Sequence, residues 1–513
     1  MPFVDLVAPD DYASLWYSTN TPYSNVGSFT PDKQTIVMLH PWTMDETWCF
    51  PQLEDPRLGA NYNIVAINTR LTGRSVSKFT GKYDLWVAAA DIAHMFYHLR
   101  LPPSHIFASE VFVLIALRLA ILFPDICLSL TLCNVPPQQE RKDVIHGLDD
   151  ILQLWCYAED LESFEHANRD LLEFTTGKRL GKSSPHSFDA KRRHTLVSTL
   201  EPFGYAEKHL ASPQADRLVD MDLEDELVAW WQIHYPPFKR ACFVDMIRTF
   251  CHDHREPLMP ELLGRIETPT MILQAKDNEL YPVSFAEDLQ QSLTGIEDGA
   301  KLQIVHGRVG YLTIVRSSIV NQFLAKFLAS LRPHGPMDFR CPIKSLNRRM
   351  QEALDMLAEI KEDPSIANRS PASPMSFSCC DDETAQIHVD MVKAYAKGQA
   401  TAYSPLGSDG RPIRKFSERK EHWLQEEDLD GQDDLRRGKS SSEPPSLWVE
   451  PPPTDDNSTE IPVPSTPPPT AIIVRRTTEY STTATAATAA IIDRTKTQSQ
   501  KLSVQKQLSR LLR

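Results

Sequence analysis

Ser109 and Glu110 stand where the chain offers chemistry most directly. Within residues 105–124, HIFASEVFVLIALRLAILFP, a short apolar strand over 105–108 breaks at this pair, and a helix-forming run over 111–122 follows until Phe123-Pro124 ends it. A side chain at such a bend lies beside a helix N-terminus, whose free N–H groups and dipole favour negative charge. A carboxylate there is stabilised as an anion and fills the space that a substrate oxyanion would need. Two other clusters carry metal-ligand residue types. Cys251-His252-Asp253-His254 ends a predicted helix, and Cys379-Cys380 precedes His388. Neither has the paired spacing of a zinc site, so both read as packing or exposed side chains, and no metal or cofactor is assigned.

The elements that must position the bend are legible as alternation. Six short apolar, β-branched runs predict buried parallel strands over 35–39, 62–67, 105–108, 127–132, 270–274 and 302–305. Helical patterns over 83–99, 111–122, 284–293 and 317–331 lie between or after them. Strand alternating with helix gives a doubly wound, mostly parallel α/β sheet, with a ligand crevice at the carboxyl ends of the strands. The alternation stops over 134–263, which reads as helices at 143–157, 161–174, 190–200, 223–233 and 238–251, an all-helical insert placed as a lid. Its aromatics Trp155, Tyr157, Trp230, Trp231 and Tyr235 either line a pocket beneath it or pack its own core.

The core is therefore expected over 1–133 and 264–332, the lid over 134–263, an amphipathic helix or linker over 333–362, and a Pro/Ser/Thr-rich, largely disordered tail over 363–513. In the third segment, Leu346, Met350, Leu354, Leu357 and Ile360 share one helical face. The tail collects many of the 39 prolines and offers Pro-rich segments to protein partners. The closing stretch 501–513 is a short basic amphipathic segment. A formal charge of −14 argues against a nucleic-acid partner. No run is long and apolar enough to span a bilayer, the N-terminus lacks a signal pattern, and nine irregularly spaced cysteines read as reduced thiols. Together these predict a cytoplasmic protein.

Taken together, the segments resemble the α/β-hydrolase superfamily, in its lid-bearing branch of esterases and epoxide hydrolases. The strand-to-helix bend is similar to the G-x-S-x-G nucleophile elbow, with Ala108, Glu110 and Phe112 at the Gly, Ser and Gly positions. His40-Pro41-Trp42 resembles the oxyanion segment, and residues 68–75, NTRLTGRS, the D-x-R-G-x-G-x-S loop. Residues 269–277, PTMILQAKD, resemble the strand that delivers the acid, and 303–312, QIVHGRVGYL, the histidine loop. The resemblance implies Glu110 as nucleophile, Asp277 as acid and Gly310 in place of the histidine, with the N–H groups of Trp42 and Val111 as the oxyanion hole.

That set lacks both the hydroxyl and the imidazole of a serine hydrolase. Moving the nucleophile to Ser109 puts Phe107 and Val111 where small residues close the turn. His306 lies four residues ahead of the histidine position, and His40 could pair with Glu110 only across the crevice. Glu110 and Asp277 together could also hold a cation or an amine. The favoured expectation is a degenerate, non-catalytic member that binds a small-molecule ligand under the lid or acts as an interaction module. An active hydrolase of esters or epoxides (ester or ether bonds) with an atypical catalytic set stays open, since relatives use a carboxylate nucleophile. So does a scaffold working through its Pro-rich tail.

Overall fold

The computed structural model describes residues 2–158, 161–176, 213–235, 240–251, 255–278, 280–306, 310–331 and 345–399. All six predicted strands are present, as β3 (Gln34–Leu39), β4 (Tyr62–Ile67), β6 (Ser104–Ser109), β7 (Cys127–Cys133), β8 (Thr270–Ala275) and β9 (Lys301–Val305). Three more were not anticipated: β1 (Phe3–Val7), β2 (Tyr12–Thr19) and the short β5 (Val76–Ser77). The sheet runs β1-β2-β4-β3-β6-β7-β8-β9 with β5 on β2. β1, β2 and β5 pair antiparallel, and β4, β3, β6, β7, β8 and β9 pair in parallel in that order. The central strands are apolar throughout because both faces are covered. Along β3, Val37 and Leu39 enter one core while Ile36 and Met38 enter the other.

Helices pack on both faces. α1 (Leu85–His98) is capped by Asp84, whose carboxylate accepts from the N–H groups of Trp86 and Val87, and α2 (Val113–Leu122) follows β6. The insert supplies α3 (Lys142–Tyr157), α4 (Leu161–Thr176), α5 (Pro213–His234) and α6 (Arg240–Phe250), and the helix expected at 190–200 lies outside the described residues. α7 (Val283–Ser292) and α8 (Ser317–Ser330) complete the wound part. The stretch resembling the D-x-R-G-x-G-x-S loop is fixed from within. Buried Arg70 donates to both carboxylate oxygens of Asp11 (2.7 and 2.6 Å) and of Asp91 (2.7 and 2.8 Å).

Beyond α8 the structure departs from the composition. The amphipathic stretch forms α9 (Leu346–Ile360), which buries Met350, Leu354 and Leu357 against α1 and α2. The boundary expected at residue 363 falls inside ordered chain. Residues 366–368 pack on α9 and residues 374–379 on α1 and its start, with Phe377 fully buried near Phe123, and α10 (Asp382–Gln399) follows. Local proline and serine content underestimated this packing; residues 400–513 lie outside the described part. Among the described residues no helix is long and apolar enough to cross a membrane, and no group of three His, Cys, Asp or Glu could hold a metal ion.

Candidate active site

β6 delivers its last buried residue, Ser109, in extended conformation, and Glu110 then turns with φ +55°. An L-residue in this left-handed region costs on the order of 1–3 kcal/mol, which surrounding contacts must offset. They do so through the side chain. The N–H of Trp42, in the loop after β3, donates to Glu110 Oε2 at 3.1 Å, and the N–H of Tyr311 donates to Oε1 at 3.0 Å. The Glu110 carboxylate thus ties the β3 loop to the loop that follows β9. It is wholly buried, and burial pushes its pKa from 4.5 up to about 7 against the pull of these two donors.

The expected residues separate on this geometry. The N–H of Trp42, expected to face a substrate oxyanion together with that of Val111, is here on the Glu110 carboxylate, and the other N–H on that carboxylate is Tyr311's. Asp277 is exposed, and the next residue, Asn278, is the buried one that lines the cavity. Asn278 Oδ1 is engaged by the N–H groups of Leu280 and Tyr281, which fixes the turn after β8. Gln274 braces the same turn, donating to Tyr281 O at 2.6 Å and accepting from Val135 N–H. Gly310 lines the cavity beside Tyr311. His40 does not reach Glu110. Its ring bonds Pro41 O and Thr72 Oγ1, and burial lowers its pKa to about 4, so it is a neutral brace of the loop. His306 is exposed, Ser109 Oγ is buried with no hydrogen-bond partner among the described residues, and His252 and His254 lie outside them.

The roof comes from the insert. Tyr311, itself at φ +45°, sets its hydroxyl 2.9 Å from Thr43 Oγ1. Trp231 Nε1–H donates to Thr43 O at 3.2 Å, with the Tyr235 hydroxyl 3.5 Å from the same oxygen. These two aromatics therefore grip the β3 loop. Trp155 packs on Phe164 and Phe243 inside the insert, Trp230 on Trp48, and Tyr157 on Tyr395. The space left beside Glu110 is about 10 Å³, lined by Trp42, Thr175, Asn278, Tyr281, Gly310 and Tyr311 among others. That is room for about one water. Among the described residues that line it there is no imidazole and no thiol.

A strand order of this kind, a sharp left-handed bend after the central strand and a helical insert above the crevice define the α/β-hydrolase fold. Among solved structures the chain is similar to an α/β-hydrolase enzyme from a Medee basin deep-sea metagenome, at 14% identity over 64% of this chain and 99% of that one, with a TM-score of 0.46. It is similar also to an esterase from Exiguobacterium antarcticum (15% identity, 64% and 99%, TM-score 0.44) and to a bromoperoxidase from Bacillus anthracis (14%, 64% and 100%, TM-score 0.41). No family model matches the sequence, and no curated protein matches it.

Proposed function

We propose that this chain is a non-catalytic α/β-hydrolase-fold protein whose crevice has been turned into a structural joint, leaving its surface to act as an interaction module. One observation carries the reading: both oxygens of the Glu110 carboxyl group accept from backbone N–H groups, one of them that of Trp42, the N–H that the resemblance assigns to the oxyanion site, so a group built into the chain already takes up that donor. Acyl transfer needs a nucleophile, a base and a carboxylate to orient it. Glu110, Gly310 and Asn278 line the cavity, and the exposed Asp277, the acid that the resemblance implies, does not. An alkyl ester on Glu110, or the mixed anhydride an acyl donor would give, would lose the hydrogen bond at the substituted oxygen and would find no imidazole among the described residues that line the cavity to activate water for its hydrolysis. A water-sized cavity also leaves a small-molecule ligand under the lid without space in this conformation.

The test is turnover by the full chain. Purified protein incubated with activated short-chain esters and epoxides is expected to match buffer, and a fluorophosphonate probe is expected to add no mass. Hydrolysis above buffer that disappears in Glu110→Ala would overturn the proposal.

A further inference from the structure

Residues 346–399 do more than extend the core, because their two helices bind different parts of the molecule. α9 is anchored on α1 and α2, the helices that flank the central sheet, whereas α10 lies on α6 and α3 of the insert. Between them the chain is pinned at the start of α1. The N–H of Cys379 donates to Asp84 Oδ2 at 2.7 Å, and Ser378 Oγ donates to Lys82 O at 2.6 Å. α10 also presses on residue 81. Gly81 has φ +74°, and a Cβ there would lie 2.4 Å from Ala385 O and 2.8 Å from Val389 Cγ2. His388 Nδ1 reaches the carbonyl of the same glycine at 3.3 Å.

From α10 a continuous series of contacts runs to the crevice. Tyr395 is buried against Tyr157 of α3, with ring centroids 5.7 Å apart, and Tyr157 donates to Ala394 O at 3.2 Å. Two residues before Tyr157, Trp155 packs on Phe243 of α6 at 5.3 Å, and Phe243 packs on Tyr235 at 4.6 Å. Tyr235 and its neighbour on α5, Trp231, hold the carbonyl of Thr43. Thr43 in turn meets the hydroxyl of Tyr311, whose N–H is on Glu110. The geometry points to residues 346–399 as an intramolecular latch: a strap fastened to the core at α9 that holds the insert down on the β3 loop through α10. This concerns the closure of the insert and stands whether or not the crevice has activity.

The test is hydrogen exchange read peptide by peptide on the full chain and on two full-chain variants that loosen α10 from opposite sides, Tyr395→Ala and Gly81→Ala. A latch predicts that α4 and residues 223–235 exchange about tenfold faster in both variants, although α10 is seated on α3 and α6, while β6, β7 and β8 keep their protection. Faster exchange confined to α10, α3 and α6 would make the strap a local cover and overturn the inference. So would equal acceleration in the sheet, which would mean general destabilisation, or the predicted pattern in only one variant.

Discussion

Replacing Glu110 by glutamine should invert the order of stability between acid and neutral pH. The Glu110 carboxyl titrates near 7 in the fold against its ordinary 4.5, with burial as the main cause and the Trp42 and Tyr311 N–H groups opposing it. The folded protein therefore binds this proton more tightly than the unfolded chain does, and stability falls as pH rises from 4.5 to about 7, then levels. At about 1.36 kcal/mol per pH unit, that window removes about 3 kcal/mol. Glutamine does not titrate, but its amide nitrogen cannot accept the second N–H, which costs about 1–2 kcal/mol at every pH. The variant should thus be the less stable protein at pH 5 and the more stable one at pH 8. Denaturant unfolding of both proteins at pH 5, 6, 7 and 8 gives the difference directly. Comparing the pair also cancels other buried carboxyls pushed to about 7, such as Glu46 and Asp245. A difference that stays constant over this range would refute the reasoning, since it would mean that Glu110 does not change charge there.

Arg70→Ala removes the guanidinium between two buried carboxylates, so Asp11 and Asp91 are left facing each other; the expected loss is about 3–5 kcal/mol, and a loss under about 1 kcal/mol in denaturant unfolding would count against a structural role for this cluster. Rebuilding the crevice as Glu110→Ser, Asn278→Asp and Gly310→His should yield slow hydrolysis of an activated ester above the parent. If the folded triple variant stays at buffer level, more than three side chains separate this crevice from an esterase's.

How much of this was legible in the sequence depended on the kind of signal. The parallel strands announce themselves because each is apolar on both faces, as in residues 105–108, and the bend was readable because a strand pattern gives way to a helix pattern at one residue pair. β1 and β2 were not seen: their alternation, with Leu6 buried beside exposed Val7 and Asp5, dilutes the apolar signal. At the acid position residue type prevailed over geometry. Asp277 is the carboxylate, yet in the turn that follows β8 both Lys276 and Asp277 are exposed, and Asn278 is the residue that lines the cavity. Tyr311 was missed because its contribution to Glu110 is a backbone N–H, which no side-chain pattern advertises. The folded stretch 366–381 was hidden by its prolines and serines; its order comes from Phe377 in the core and from Arg369, which donates to Ser376 O and Ser378 O.

The joint at Glu110 can be observed on its two amide protons. In protein carrying ¹⁵N only at tryptophan and tyrosine, the backbone amides of Trp42 and Tyr311 should shift together with a single apparent pKa near 7, and both shifts should vanish in Glu110→Gln. If either amide ignores both pH and the substitution, the carboxylate does not bridge the two loops and the account of a filled oxyanion site is wrong.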